Sequence, residues 1–136
     1  MRSHLAHLQL NIDPANMGFY RDLFALLGWP VIYEGDGFFG LGGTGRDSVW
    51  FHEAKAIAND YDGPGMNHLA IGTDAPAEVD EVAAWLSHRG IELLFETPRH
   101  RPEFVLNEDE TYYQIIFESP DRLQIEILYS GPWRGA

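Results

Sequence analysis

The sequence contains no cysteine. Disulfides, thiolate metal sites and cysteine nucleophiles are therefore excluded, and a metal ion would have to be bound by His, Asp, Glu or neutral oxygen ligands. The sequence also lacks any apolar run near the roughly 20 residues that a membrane-spanning helix needs. No apolar block follows the N-terminal residues as it would in a signal peptide. We therefore expect a cytoplasmic protein with no membrane partner.

Basic residues are few. Nine Lys and Arg residues stand against 21 Asp and Glu residues, for a formal net charge of −12. Such a surface repels phosphate backbones, so we expect no nucleic-acid partner. Hydrophobic residues make up 45% of the 136 residues, a composition and length that suit one compact globular domain.

An internal repeat organises the chain. Residues 7–13 read His-Leu-Gln-Leu-Asn-Ile-Asp and residues 68–74 read His-Leu-Ala-Ile-Gly-Thr-Asp, at an offset of 68 − 7 = 61. Each segment alternates apolar and polar residues, as a half-buried strand does. Two copies of one supersecondary unit are therefore predicted.

A helix is predicted directly after each of these strands. Asp13 and Asp74 are predicted as N-cap residues with a proline in the first turn, and Gly28 and Gly90 are typical of helix C-termini. Strands are predicted after each helix, near residues 29–33, 38–41 and 48–52 in the first half and near 91–96, 112–118 and 123–129 in the second. Each half therefore reads βαβββ.

Three motifs make the chain resemble the vicinal oxygen chelate superfamily, which includes glyoxalase I, extradiol dioxygenases, methylmalonyl-CoA epimerase, fosfomycin-resistance enzymes and bleomycin-resistance proteins. They are Phe19-Tyr20 with Leu27-Gly28-Trp29, Asn67-His68-Leu69-Ala70-Ile71, and Ile116-Phe117-Glu118-Ser119-Pro120-Asp121 leading to Ile125-Glu126-Ile127. The resemblance covers about residues 4–130. It implies an α+β fold in which two tandem βαβββ modules form a half-open mixed β-barrel, with module 1 at about 4–54, a linker at 55–66 and module 2 at about 67–130 of a single domain, 1–136.

The resemblance also implies metal ligands at His7, His68 and Glu126. Glu126 lies between Ile125 and Ile127, so its side chain should point away from the packed side of its strand. A carboxylate in that setting is costly unless it is paired or bound to a metal. Two histidines and one carboxylate suit one divalent ion, with Fe(II) favoured and Mn(II), Ni(II) or Zn(II) as alternatives.

A fourth ligand position exists in the family on the last strand of the first half. Aligning residues 48–52 with 123–127 places Phe51 opposite Glu126, and a phenylalanine cannot bind metal. Three protein ligands and an open site are therefore expected, which argues against glyoxalase I itself. If the register slips by one residue, His52 becomes a fourth ligand.

Aromatic residues accompany the predicted cavity strands. We expect some of them to line a substrate pocket, although core packing is the alternative role for each. One tyrosine of the pair at 112–113 should face inward and orient a substrate oxygen, and the parity of Ile115 and Phe117 favours Tyr113. His100 is a candidate acid or base, or else a solvated loop residue. The expected pocket residues are Phe39, Trp50, Phe51 and Tyr112.

The resemblance implies chelation of a small substrate through two adjacent oxygens, with the metal acting as a Lewis acid. An open three-ligand site favours a dioxygenase-like enzyme. An isomerase, lyase or thiol-transferase with the same metal stays open, as does a non-enzymatic drug binder resembling the bleomycin-resistance proteins. Lys55 is the only lysine, which counts against a phosphonate substrate. A homodimer is expected, formed side by side or by exchange of modules.

Overall fold

The computed structural model describes residues 1–2, 4–45, 47–55, 59–64 and 66–133. The chain divides into two compact units, Met1–Ala58 and Asn59–Ala136, and each is described by itself. No helix in the described ranges is long and apolar enough to cross a membrane.

The first unit is a four-stranded mixed sheet with one α-helix. The strand order is β1-β4-β3-β2, with β1 parallel to β4 and the other neighbours antiparallel. Its elements are β1 (His7–Ile12), a 3-10 turn (Pro14–Asn16), α1 (Met17–Leu26), β2 (Val31–Gly35), β3 (Phe38–Gly42) and β4 (Ser48–Glu53).

Helix α1 ends where the sequence predicts, but Asp13 caps the 3-10 turn that precedes the helix, and the N-cap residue of α1 is Asn16. The Asp13 carboxylate accepts a hydrogen bond from a main-chain N–H in the first turn, and Gly28 adopts a φ of +76° just after the helix, a conformation that favours glycine. The buried face of α1 packs on the sheet through aromatic rings. Tyr20 and Phe24 lie 4.6 and 5.5 Å from Phe51, measured between ring centroids.

The second unit repeats this topology. Its strand order is β5-β8-β7-β6, with β5 parallel to β8 and the other neighbours antiparallel, and α2 packs against β5, β7 and β8. The expected α+β class with two tandem βαβββ modules is therefore confirmed. The elements are β5 (Leu69–Thr73), α2 (Pro76–His88), β6 (Arg99–His100), a 3-10 turn (Pro102–Phe104), β7 (Glu110–Glu118) and β8 (Gln124–Pro132).

The strand predicted near residues 91–96 is wrong. Leu93 makes only an isolated bridge to Phe117, and the chain then turns through Phe95 and Glu96, whose φ angles are +55° and +59°. Two successive left-handed residues cannot continue a strand. The pairing with β7 is made instead by β6, in a segment that the sequence had indicated as loop.

The start of α2 also differs from the prediction. Its N-cap residue is Ala75 and not Asp74. The capping role passes to Glu78, whose carboxylate accepts hydrogen bonds from the main-chain N–H groups of Asp74 and Ala75 at 2.8 and 3.0 Å. An acidic residue in the first turn also complements the helix dipole.

The strand registers correct the alignment of the two halves. Gln9 pairs with Trp50 in the first sheet, and Ala70 pairs with Glu126 in the second. Since 70 − 9 = 61 is the offset of the repeat, Trp50 is the counterpart of Glu126. The alignment on Phe51 was off by one residue, which on a strand moves a side chain to the opposite face.

Phe51 and Phe39 therefore lie on the α1 side of the first sheet. Both are fully buried, and their rings stack at 5.1 Å. They are core residues and not lining residues of a pocket on the opposite face. Trp50 is only half-buried and lies on that opposite face.

We predict that Phe51→Ala destabilises the protein much more than Trp50→Ala. Truncating a fully buried aromatic ring costs about 3–5 kcal/mol of unfolding free energy, and Trp50 has one side of its ring outside the core. Chemical denaturation followed by circular dichroism measures both. Phe51→Leu is the control that keeps most of the volume. An equal or larger loss for Trp50→Ala would show that the two faces have been assigned wrongly.

Candidate metal centre

The two faces of the second sheet are distinguished by the tyrosine pair of β7. The Tyr113 hydroxyl donates a 2.6 Å hydrogen bond to Asp80 on α2, so Tyr113 faces the helix. Side chains alternate along a strand, and Tyr112 therefore points away from α2. We call the surface directed away from the helix the far face of each sheet. Glu126, on β8, lies on the far face of the second sheet with Tyr112.

A histidine and a buried carboxylate meet on this far face. His68 Nε2 lies 3.1 Å from Glu126 Oε2, and the Glu126 side chain is only 5% exposed, against 39% for His68. Two ligand atoms bound about 2.1 Å from one ion at a right angle are about 3.0 Å apart. The pair therefore has the spacing of adjacent ligands in an octahedral site.

Tyr112 holds the other oxygen of the same carboxylate. Its hydroxyl donates a 2.7 Å hydrogen bond to Glu126 Oε1, and the Phe104 ring packs edge-on against it at 5.4 Å. Burial raises the pKa of Tyr112, and the hydrogen bond to Glu126 and its negative charge raise the pKa further. The phenol is thus a neutral donor that leaves Oε2 directed toward His68.

The tyrosine assignment is therefore corrected. Tyr112, expected only as a pocket residue, carries the hydroxyl that contacts Glu126, whereas the Tyr113 hydroxyl binds Asp80 of α2. Ile115 and Phe117 do share a face with Tyr113, but that face is directed toward α2 and not toward Glu126.

His100 stands apart from the His68–Glu126 pair. It lies in β6 opposite Tyr113, and its ring centroid is 4.5 Å from that of Tyr113 and 4.4 Å from that of Trp133. Its Nδ1 is 2.7 Å from Thr111 Oγ1. The structure therefore places His100 in an aromatic cluster at the edge of the second sheet, and gives it no contact with Glu126.

Asn67 directly precedes His68 in the chain, and the sequence alone assigns it no role. Its Oδ1 is 2.8 Å from His68 Nδ1, its Nδ2 donates to the Tyr61 carbonyl at 3.0 Å, and Gln124 Nε2 donates to Oδ1 at 3.2 Å. The second ring nitrogen of His68 is therefore also engaged. An amide directly before a candidate histidine ligand was the available signal.

His7 begins β1 in the first unit. Leu10 and Ile12 of the same strand are buried, so alternation places His7 on the far face of the first sheet. Its strand partner is Ser48, whereas His52 pairs with Asn11, four residues further along. Four residues of strand span about 13 Å.

His52 therefore does not occupy the fourth ligand position. That position, the counterpart of Glu126, belongs to Trp50, and His52 lies two residues beyond it on the same strand. Its ring stacks on Phe38 at 4.9 Å. Tryptophan binds metal no better than phenylalanine. With Trp50 in place of Phe51 at this position, we therefore still expect the fourth position to lack a protein ligand.

The far face of the first sheet is aromatic. Tyr33 stacks on Phe38 at 5.7 Å, and Trp50 lies 6.2 and 6.4 Å from those two rings. The Trp50 ring lies directly over Gly40, where an added Cβ would come within 2.7 Å of it. Its indole N–H donates to Ser48 Oγ at 3.0 Å.

Neither unit by itself assembles three candidate ligands. No group of three or more His, Asp and Glu side chains suited to a metal ion occurs among the residues that the structure describes. The second unit supplies the His68–Glu126 pair, and His7 as a third ligand stays a prediction.

Solved structures provide the comparison with known proteins. A protein from Bacillus halodurans, assigned provisionally to the glyoxalases, matches with a TM-score of 0.77 and 22% identity over 94% of this chain and 96% of that one. FosX, the fosfomycin resistance protein of Listeria monocytogenes, complexed with Mn(II) and sulfate, gives 0.68 and 21% over 96% and 93%. Lactoylglutathione lyase from Agrobacterium tumefaciens gives 0.65 and 21% over 94% of each chain.

The chain has the vicinal oxygen chelate fold. The resemblance found in the sequence is thus confirmed at the level of the fold. No protein-family model matches the chain, and no curated protein matches it. The shared fold does not select an activity, because unrelated chemistries occupy the same fold.

We predict that Asp80→Asn lowers the pKa of Tyr113. Burial first, and then the hydrogen bond and charge of Asp80, raise the pKa of this phenol to about 12 from an ordinary value of 10.0. The neutral phenol is favoured in the fold, so its stabilising contribution is present below pH 10 and is lost as the pH rises through 12. Tyrosinate absorbance measured against pH follows the ionisation.

The variant Tyr113→Phe identifies the part of the tyrosinate absorbance that comes from Tyr113. Glu81→Gln removes a charge from the same helix and is the matched control, for which no change is expected. An Asp80→Asn curve that superimposes on the wild type would contradict the placement of Tyr113 against α2.

Proposed function

We propose that this protein is a metal-dependent enzyme of the vicinal oxygen chelate type, which binds one divalent ion on His7, His68 and Glu126. The observation that carries the proposal is the 3.1 Å approach of His68 Nε2 to a carboxylate that is 5% exposed. A carboxylate so far removed from water needs a positive partner, and a divalent cation supplies one.

The donor set favours Fe(II). Two histidines and one carboxylate with open positions are typical of non-haem Fe(II) sites, while Mn(II), Ni(II) and Zn(II) accept the same atoms. The FosX structure contains Mn(II), which supports a divalent ion in a protein of this fold. We rank Fe(II) first and Mn(II) second.

A bound divalent ion would supply Lewis-acid chemistry to a substrate held through two adjacent oxygens. The chain's own residues determine what can approach. Tyr112 fixes one Glu126 oxygen, and Trp50 leaves the fourth ligand position without a donor atom. The aromatic surface of Tyr33, Phe38 and Trp50 suits a flat or apolar substrate. These features favour a dioxygenase-like reaction of a small aromatic diol.

A second candidate is an isomerase, lyase or thiol-transferase that uses the same ligands without O₂. The fold shared with a lactoylglutathione lyase favours it. A drug-binding protein without metal is the third candidate, and it is the least favoured because it makes no use of the ligand spacing of His68 and Glu126. We also propose a homodimer, either side by side or with exchanged modules.

We predict that His68→Ala and Glu126→Gln abolish tight binding of Mn(II) or anaerobic Fe(II), and that His7→Ala does the same. Loss of an outer partner of a ligand costs roughly 10–100-fold in affinity, so Tyr112→Phe should weaken binding within that range and the three ligand variants by more. Isothermal titration calorimetry and elemental analysis measure the effect.

His88→Ala is the matched control for these variants. His88 lies at the end of α2, where its Nδ1 contacts the Ala84 carbonyl at 2.7 Å, and its loss should leave metal affinity unchanged. Normal binding by His7→Ala would remove His7 from the ligand set. A wild-type protein that binds no divalent ion would refute the metal proposal as a whole.

We predict that the Fe(II)-loaded protein consumes O₂ with at least one member of a panel of catechols, and that Glu126→Gln does not. An oxygen electrode measures the uptake after anaerobic loading. Turnover of 2-oxoaldehyde–thiol adducts in the absence of O₂ would instead establish the second candidate. No uptake with any diol would contradict the dioxygenase assignment.

A further inference from the structure

We infer that Asn67 is a positioning residue that sets the ring tautomer of His68 and directs its Nε2 atom to the metal site. The inference rests on the proposed metal-binding function. It starts from a short contact on the side of the ring that is remote from Glu126, where His68 Nδ1 lies 2.8 Å from Asn67 Oδ1.

The orientation of the Asn67 amide follows from its other neighbour. One amide atom lies 3.0 Å from the main-chain carbonyl oxygen of Tyr61. A carbonyl oxygen can only accept, so this atom must be the NH₂ group, and the atom facing His68 must be the oxygen. The side-chain NH₂ of Gln124 donates to the same oxygen at 3.2 Å, in agreement with that orientation.

The tautomer of His68 follows in turn. Because Asn67 Oδ1 can only accept, the Nδ1 atom of His68 must carry the hydrogen in their contact. Nε2, which faces Glu126 Oε2 at 3.1 Å, is then the nitrogen on which a metal ion would take the place of a hydrogen. A ring flip would place Nδ1 toward Glu126 and would break the bond to Asn67.

Asn67 is itself held from two directions. The loop carbonyl of Tyr61 binds its NH₂ group, and Gln124, which is 5% exposed in β8, binds its oxygen. Gln124 and Glu126 are two residues apart on one strand and therefore share a face. The same strand thus supplies the carboxylate and supports the amide that orients the histidine, as outer partners of metal ligands do.

Two substitutions at Asn67 distinguish the orienting of His68 from the simple attachment of the loop at Tyr61. Asn67→Asp keeps an oxygen toward His68 Nδ1 but loses the donor to Tyr61, whereas Asn67→Ala loses both. We expect Asn67→Ala to weaken Zn²⁺ binding roughly 10–100-fold. Asn67→Asp should bind at least as tightly as the wild type, because a carboxylate accepts a stronger hydrogen bond from Nδ1. Isothermal titration calorimetry on the full chain measures each affinity.

Nuclear magnetic resonance reports which ring nitrogen of His68 binds the metal, and a purely structural role of Asn67 would not determine that choice. In the Zn²⁺-bound wild type, the ¹⁵N spectrum of the His68 ring should show hydrogen on Nδ1 and metal on Nε2. Metal on Nδ1 in that spectrum overturns the inference, even if Asn67→Ala does not fold. Equal weakening by both substitutions, or no weakening by Asn67→Ala, overturns it too and leaves the metal proposal intact. Absence of Zn²⁺ binding by the wild type overturns both.

Discussion

The carboxylate of Glu126 is the group on which the far face of the second sheet depends. Its side chain is 5% exposed, and both of its oxygens have partners, Tyr112 on one side and His68 on the other. Removing a charged group from water costs several kcal/mol unless such partners replace the water. The neighbouring Ile125 and Ile127 are fully buried. Hydrophobic burial of those two neighbours therefore holds the charge in place.

Much of this arrangement could be predicted because its signals are local. Alternation in residues 7–13 and 68–74 predicts two strands, Asp13 predicts the turn that leads into α1, and Gly28 predicts the end of that helix, because caps and periodicity depend on neighbours in the chain. The position of Glu126 between two isoleucines gave its direction. The repeat then gave the order of the elements in both units, which the structure confirms.

The predictions that were wrong concern features that depend on residues distant in the chain. Alternation shows that Tyr112 and Tyr113 face opposite ways, but only α2 and its Asp80 decide which of them is covered. Strand partners fix the register, and they are not known from the sequence. The alignment of residues 48–52 with 123–127 therefore matched Phe51, and not Trp50, with Glu126. The turn at Phe95 requires two left-handed residues, and neither is a residue type that announces such a turn.

The difference between the two halves is more informative than their likeness. The repeat preserves a histidine at 7 and 68, but the equivalent positions 50 and 126 carry an indole and a carboxylate. Gly40 accommodates the Trp50 ring, since any side chain there would meet it, so the neighbouring strand leaves room for the indole. In the proposed centre, the chain thus contributes two histidines and a single carboxylate. A site that used the repeat fully would have four protein ligands, which leave two positions of a six-coordinate ion for a chelating substrate, whereas three protein ligands leave one further position for water or O₂.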